Sequence, residues 1–321
     1  MATHAAGASG GSGTAAASGS VMQASAERLG RAFFGLAGLT YALIVLGALV
    51  RAHGAGLSCP DWPLCFGEVI PRLDFKVAFE FGHRVVAGSV AILFVGLSVA
   101  TLRQKELASA LRRPLAIAAL LLAVQIVLGG LTVLKLLATW TVTSHLLTGN
   151  AFALALVLIG RRIVALGRRS SSAAAPDVPA SGLARLATSA VAALLVAQVA
   201  LGGLVSSSYA GLVCPDWPAC MNGELFPTFS GIQGLHVLHR TLAYTLIVAL
   251  PLAALLARPD RALVRLLGLA SVLVVGQAAV GVANVLLRLP VEITALHSAL
   301  AAALVCTLGV AVDTAWSRRT A

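Results

Sequence analysis

The chain has 321 residues, of which 59% are hydrophobic and only 11% are charged. Because soluble domains average about 25% charged residues, this composition excludes an ordinary water-soluble protein. The formal net charge of +11 would suit nucleic acid, but the arginines lie at the ends of apolar runs rather than in patches. Membrane topology accounts for them better, and we expect no nucleic-acid partner.

The first 25 or so residues are rich in Ala, Gly and Ser and contain neither a basic start nor an apolar run. A secretory signal peptide would need both features. We therefore predict a disordered cytoplasmic tail over residues 1–28 and assign no role to His4 within it.

Eight apolar runs are long enough to cross a bilayer, which requires about 20 residues. Because backbone polar groups inside lipid must be satisfied within the segment, the runs are predicted to be helices. They begin near Phe33, Val77, Leu115, Val142, Leu186, Leu235, Leu263 and Val291.

The basic residues predict the orientation of these spans. With both termini in the cytoplasm, sixteen Lys and Arg residues lie on the cytoplasmic side and only five lie outside, an excess that favours this orientation. The long loops near 52–75 and 207–232 are then outside the cytoplasm, and the protein is expected in the plasma (inner) membrane. A segment rich in Ser, Ala and Pro at 167–183 is predicted to be a cytoplasmic linker.

The sequence contains an internal duplication with an offset of 152 to 156 residues. Because both halves start on the same side and cross four times, the repeats are parallel, related by a pseudo-twofold axis along the membrane normal. We predict an all-α integral membrane protein of eight transmembrane helices, in two tandem four-helix bundles at 29–166 and 184–316, with a cytoplasmic tail at 317–321. The repeated landmarks are Cys59-Pro60-Asp61-Trp62-Pro63-Leu64-Cys65 with Cys214-Pro215-Asp216-Trp217-Pro218-Ala219-Cys220, His83-Arg84 with His239-Arg240, Gln125-x3-Gly129 with Gln277-x3-Gly281, and His145 with His297.

Four histidines fall inside predicted spans at matched positions: His83, His145, His239 and His297. Each lies about two turns from the outer end of an even-numbered span, or roughly 8–12 Å at a rise of 1.5 Å per residue. All four are therefore expected at a similar depth in the outer half of the membrane. Within each half, two imidazoles can approach from opposite sides, which is the geometry for axial ligation of a haem iron.

Two alternative roles for these histidines stay open. Each could form a hydrogen bond to a neighbouring helix, although polar residues inside a membrane are costly and usually functional. A metal cluster would need carboxylates or thiols at comparable depth, and only Glu80 qualifies. The symmetric pairing of the four residues favours haem.

Arg84 and Arg240 directly follow two of the histidines. A buried arginine needs an anion, and haem propionates near the outer surface would supply one. Equally, an arginine at a helix end can extend its head group to water. The pairs Gly129-Gly130 and Gly202-Gly203 would let helices, or a flat porphyrin, approach closely.

Glu80 lies three residues before His83, so both project from one helix face, about 5–6 Å apart at Cβ. His236 stands at the matching place in the second half. An intramembrane carboxylate favours a functional role, and the alternative is a structural salt bridge to Arg84. The asymmetry suggests one reactive site and one carrier site. His236 could also replace His239 as a ligand, but His239 keeps the register of the repeat.

Four of the five cysteines form two pairs in the outer loops, where disulfides persist. Two prolines in each motif favour a tight turn, so we predict the disulfides Cys59–Cys65 and Cys214–Cys220. Free thiols or a redox-active pair are the alternative. Trp62 and Trp217 are expected to anchor the loops at the interface, and Cys306 to lie in the core.

The chain resembles the haem A synthase family of membrane enzymes. The resemblance covers about residues 30 to 316, and the combination of its motifs is specific although each part alone is not. It is carried by Gly56-Leu57-Ser58-Cys59-Pro60-Asp61-Trp62-Pro63, Glu80-x2-His83-Arg84, the second Cys-Pro-Asp-Trp-Pro loop, His239-Arg240 and the histidines of the fourth and eighth spans.

The resemblance implies an oxidoreductase that converts the C8 methyl group of haem O to a formyl group, giving haem A for terminal oxidases, with water as the oxygen source. By motif, it implies that His83 and His145 hold the substrate haem in the N-terminal half. His239 and His297 would hold a haem b cofactor in the C-terminal half. Glu80 would lie beside the reacting methyl, where a carboxylate can stabilise positive charge or accept a proton.

A dihaem membrane cytochrome b acting only in electron transfer would account for the four histidines equally well, but not for the presence of Glu80 in one half alone. A transporter with parallel repeats would need polar residues near the bilayer midplane, where these helices have few. The expected partners are the haem O substrate, membrane lipid and an electron acceptor that the sequence does not identify. The resemblance adds haem O synthase and cytochrome oxidase assembly factors.

Overall fold

The structure, a computed structural model, describes residues 11–169 and 180–317. Over these residues the secondary structure is helical, with two isolated β-bridges and no strand. Eight helices are long and apolar enough to cross a membrane, which confirms the predicted all-α, multi-pass membrane protein. They are α1 (Gly11–Ala52), α2 (Phe75–Leu102), α3 (Lys105–Leu134), α4 (Thr139–Arg169), α5 (Gly182–Ser207), α6 (Gly231–Leu256), α7 (Arg261–Leu286) and α8 (Val291–Ser317), and a short 3-10 helix covers Ala210–Leu212.

Side-chain caps determine where several helices begin. The Asp74 carboxylate accepts a hydrogen bond from Val77 N at 2.9 Å, and the Ser181 hydroxyl accepts one from Ala184 N at 3.1 Å. The Asp260 carboxylate accepts from the first turn of α7 in the same way. Each cap satisfies an N–H group that has no partner inside its own helix.

Three predicted boundaries differ from the structure. The disordered tail predicted over 1–28 is wrong from Gly11 onward, because α1 already begins there; residues 1–10, with His4, lie outside the described residues. Alanine, abundant in this stretch, has the highest helix propensity, and Ala26 packs 2.7 Å from where a Cβ on Gly167 would lie. The predicted linker 167–183 is shorter at both ends, and its segment 170–179 is outside the described residues. Ser317 belongs to α8, and the rest of the tail 317–321 is likewise not described.

In each half, the two even-numbered helices lie diagonally opposite one another. In the first half α1 and α3 each pack against both α2 and α4, and in the second half α5 and α7 each pack against both α6 and α8. The even-numbered helices of each half therefore stand at opposite corners of a four-helix bundle. The halves meet mainly through α1 with α8, α4 with α5, and α4 with α8, and each half has its own apolar core.

The two disulfide loops lie at one end of the bundle, which we call the loop end. Loop 1 (53–74) joins α1 to α2 and loop 2 (208–230) joins α5 to α6, so α4 and α8 also begin at this end. Each loop contains its predicted disulfide, Cys59–Cys65 or Cys214–Cys220, and all four cysteines are at most 1% exposed. Each also makes a two-residue turn with positive φ at both positions, at 66–67 and at 222–223, where glycine is the second residue.

The helices α1 and α4 pack most closely around Gly30. A Cβ on Gly30 would lie 2.5 Å from Val164 Cγ2 and 3.2 Å from the backbone oxygen of Gly160, whereas one on Gly35 would meet nothing within 4 Å. Gly30→Leu should therefore force the helices apart and lower stability by about 1–3 kcal/mol. Gly35→Leu, on the same helix, is the matched control. Thermal unfolding in detergent should show a lower midpoint for Gly30→Leu alone; equal midpoints for the two variants would contradict this packing.

Candidate functional site

The four intramembrane histidines lie at a common depth. His83 and His239 come eight residues after the starts of α2 and α6, and His145 and His297 come six residues after the starts of α4 and α8. At 1.5 Å per residue these positions are about 9–12 Å from the loop end. The structure thus brings each pair to the same level of its bundle, on diagonal helices.

The histidines face the bundle interior. On each of these helices, the first residue of the buried apolar core comes seven positions after the histidine. Because seven residues are close to two helical turns, the histidine and this core residue share one face of the helix. The interior at the histidine level therefore lies directly above the core, on its loop-end side. These core residues are Val90, Phe152, Leu246 and Leu304.

Each imidazole packs against a glycine on the neighbouring odd-numbered helix. A Cβ at any of these glycines would lie only 3.0–3.1 Å from the histidine Cε1, so a larger residue would displace the ring. The glycines are Gly47 for His83, Gly129 for His145, Gly202 for His239 and Gly281 for His297. The sequence pattern gave no sign of the role of Gly47, although this residue stands in the repeat register of Gly202.

The imidazoles carry unsatisfied polar atoms. The Nδ1 atoms of all four histidines are buried and have no hydrogen-bond partner. The Oε1 atoms of Gln125, Gln198 and Gln277, each one turn before one of these glycines, are also buried without a partner. His145 Nε2 lies 3.2 Å from the Gln125 amide nitrogen.

These unpaired Nδ1 atoms are themselves enclosed by protein, so a bound group would meet the imidazoles at the other ring nitrogen, Nε2. Haem suits the four histidines, because two imidazoles on facing helices are a common ligand set for its iron. Among residues 11–169 and 180–317 no three His, Cys, Asp or Glu side chains cluster as an ion site, so the alternative of a metal cluster gains no support there.

Arg84 and Arg240 act as clamps on the two loops, a role that sequence analysis did not predict. Arg84 donates to the carbonyl oxygens of Asp61, Leu64 and Cys59 at 2.6–3.2 Å. Arg240 repeats these bonds with Asp216, Ala219 and Cys214 at 2.8–3.1 Å. Together with a bond from Nε, four of the five N–H groups of each arginine are used.

Glu80 and His236 occupy equivalent places and bind equivalent arginines. Glu80 Oε1 accepts from Arg84 Nε at 3.0 Å, so the structural salt bridge considered from the sequence is present. His236 Nε2 accepts from Arg240 Nε at 3.2 Å, and its Nδ1 lies 2.9 Å from the carbonyl oxygen of Ala210. Both nitrogens of His236 are therefore engaged, which favours His239 as the ligand. Glu80 is 7% exposed and His236 5%.

The remaining residues singled out in the sequence have structural contacts. Trp62 packs on α3, where a Cβ at Gly130 would lie 3.0 Å from its indole. Gly203 of α5 packs against Thr143 of α4, between the two halves. Cys306 is a free, partly buried thiol.

The fold and the two histidine pairs define a class: multi-pass membrane proteins with paired intramembrane imidazoles. The chain belongs to the COX15-CtaA family, described as cytochrome oxidase assembly protein, whose model matches residues 31–78 and 72–308. It is 32% identical to a haem A synthase of Shewanella oneidensis, over 84% of this chain and 91% of that protein. It is 31% identical to those of Shouchella clausii, over 76% and 82%, and Alkalihalophilus pseudofirmus, over 80% and 87%.

Asp61 ties together the turn of loop 1. Its carboxylate accepts from the backbone N–H groups of Gly67 and Phe66, both at 2.7 Å. The bond from Gly67 contributes most to a pKa of Asp61 below its usual range. Since the folded pKa is lowered, this contribution to loop stability is complete above the unfolded pKa of about 3.9 and is lost as the pH falls through the folded value.

Replacing this carboxylate should open loop 1 selectively. Asp61→Asn removes the charge and one of the two acceptor oxygens, so the buried Cys59–Cys65 disulfide should be reduced severalfold faster by a phosphine at neutral pH. Cys214–Cys220 in the same molecule is the internal control and should keep its rate. Lowering the pH below the pKa of Asp61 in the folded protein should likewise speed the reduction of Cys59–Cys65 in the wild-type protein. Equal acceleration of both disulfides would show that Asp61 does not act locally.

Proposed function

We propose that the chain is a haem A synthase, an oxidoreductase that converts the C8 methyl group of haem O to the formyl group of haem A. The observation that supports this most strongly is the two buried histidine pairs, matched in depth and each packed on a glycine, in a chain whose relatives bear this name. The electron-transferring dihaem cytochrome gains no support from those relatives.

In this proposal the two halves have different tasks. His83 and His145 hold the substrate haem in the N-terminal half, and His239 and His297 hold haem b in the C-terminal half. Haem b, when bound, supplies one-electron transfer. The difference between Glu80 and His236 supports this division, because it puts a carboxylate one turn from a ligand in one half alone.

The oxidation adds one oxygen atom, which we take to come from water, and releases four protons and four electrons. Glu80 is the residue of this chain placed to assist. Its carboxylate can stabilise positive charge that develops on the methyl carbon or accept a proton, and both effects are strong in a site that excludes water. Arg84 holds one carboxylate oxygen and the carbonyls of loop 1, so it positions Glu80 relative to His83. Glu80 is the proposed catalytic residue and Arg84 a positioning residue, with one N–H left for a propionate.

The proposal includes the orientation inferred from the basic residues. The loop end then faces away from the cytoplasm, both termini are cytoplasmic, and the protein is in the plasma membrane. The two disulfides are compatible with that side, because disulfides persist in oxidising compartments. Haem O synthase and cytochrome oxidase assembly factors are the proposed neighbours in delivery and use of the haems.

Chemical identification of the haems tests the function. Expression in a host that makes haem O, followed by extraction and mass analysis, should yield haem A together with haem B. A preparation that contains haem B alone, although haem O is present in the membranes, would indicate an electron carrier and overturn the proposal.

Glu80→Gln tests the catalytic carboxylate. Glutamine keeps an oxygen that accepts from Arg84 Nε but removes the negative charge, so the variant should fold and bind haem normally. Formyl production should fall by about a hundredfold, the loss typical of a removed electrostatic stabiliser. Haem content in the same preparation controls for folding, and a normal yield of haem A would remove Glu80 from the mechanism.

Substitution of the neighbouring histidines tests the ligand assignment in the second half. His239→Ala should abolish the absorption bands of haem b, as should His297→Ala, because each would remove one of the two residues that hold the haem. His236→Gln should keep these bands, since the nitrogens of His236 are engaged by Arg240 and Ala210. Loss of the bands in His236→Gln, with retention in His239→Ala, would reverse the assignment.

A further inference from the structure

The second half has a cavity that the histidine pairs do not use. It has a volume of about 210 Å³ and lies between loop 2 and α6, lined by Trp217, Pro218, Leu225, Phe226, Val237, Arg240 and Tyr244. On α6, Val237, Arg240 and Tyr244 share one face, whereas His239 shares a different face with the buried core residues Leu246 and Leu250. The cavity is therefore separated from the interior histidine site by α6 itself.

Two hydrogen-bond donors in the cavity wall lack a partner among the described residues. The Tyr244 hydroxyl accepts from Trp217 Nε1 at 3.2 Å, so its own proton is free to be donated. Arg240 uses four of its five N–H groups on loop 2 and His236, which leaves one. The rest of the wall is aromatic and aliphatic. The cavity therefore suits an apolar ring that carries acceptor oxygens.

The first half lacks this arrangement. Gly88 stands where the second half has Tyr244, and Gly130 accepts the Trp62 indole against α3. Valine at the position equivalent to Gly130, Val282, leaves no room for an indole to lie as close to α7. Trp217 is instead bonded to Tyr244, with 46% of its surface exposed. The cavity is thus a feature that the two halves do not share.

We propose that this cavity binds the head group of a membrane quinone, which accepts the electrons of the oxidation. A quinone head is one apolar ring with carbonyl oxygens that accept hydrogen bonds, as Tyr244 and Arg240 would supply. The volume is below the roughly 300–1,000 Å³ of pockets for drug-sized ligands, so it fits a single ring and not a porphyrin. Leu225 and Phe226 are about half exposed, which leaves room for an apolar tail.

The oxidation needs an electron acceptor, and a quinone can serve as one. This inference rests on the proposed function, in which oxidation of one methyl group to a formyl group with water releases four electrons and four protons. Each quinone takes two electrons and two protons and gains an O–H bond at both carbonyl oxygens, so two quinones oxidise one methyl group. Arg240 follows His239 directly on α6, so the cavity is one residue along the helix from a proposed haem b ligand.

Calorimetric titration of the purified, haem-loaded protein with decylubiquinone tests the site. We expect one saturable site per chain, with the dissociation constant raised about threefold to tenfold in Tyr244→Phe, which removes a single hydroxyl. Tyr209→Phe is the matched control, because Tyr209 is at the loop end but does not line the cavity. The same variants, reduced anaerobically and mixed with the quinone, should show the same order in the concentration that half-saturates haem reoxidation.

Several outcomes would overturn the inference. Equal binding of decylbenzene, which has the chain but no quinone ring, would indicate an ordinary lipid site. If the affinity for decylubiquinone were unchanged in both Tyr244→Phe and Phe226→Ala, the quinone would not bind in this cavity. Haem extraction from the same preparation distinguishes the two proposals. A preparation that contains haem A but does not bind the quinone would overturn the role of the cavity alone. A preparation that binds the quinone but contains no haem A would overturn the proposed activity.

Discussion

The packing of an imidazole against a glycine, repeated four times at one depth, is the constraint on which the site depends. Only a residue without a Cβ allows the neighbouring helix to approach each ring to this distance. On the same faces of these helices, two turns beyond the histidines, the apolar core closes the bundle. At the loop end, an arginine in each half holds a disulfide loop in place. The histidines therefore face an interior layer bounded by packed core on one side and by clamped loops on the other.

The two halves repeat several contacts, and a few residues near the histidines differ between them. The arginine clamps, disulfides and histidine–glycine contacts are shared, because each stabilises a half in the same way. Four differences lie within a few turns of the histidines and alter charge, hydrogen bonding or shape. They are Glu80 against His236, Leu43 against Gln198, Gly88 against Tyr244 and Gly130 against Val282.

Features that follow from local pattern were predictable from the sequence. Span number came from apolar length, the disulfides from the repeated seven-residue motifs, and the depth of the histidines from helix rise. Contacts between distant segments were not predictable. The carbonyls bound by Arg84 lie twenty or more residues before it, and the pairing of Gly47 with His83 depends on how α1 meets α2. The boundary near residue 28 failed because low hydropathy was taken as disorder, although an alanine-rich segment continues α1 from Gly11.

Electron paramagnetic resonance of the oxidised protein, purified from a host that makes haem O, tests the central claim most directly. Two imidazoles per iron predict low-spin ferric signals, and pigment extraction should give two haems per chain when both halves are filled. A protein that gives only high-spin signals would contradict the account. So would low-spin signals that persist after all four histidines are replaced by alanine, because the imidazoles would then not be the ligands of the haem iron.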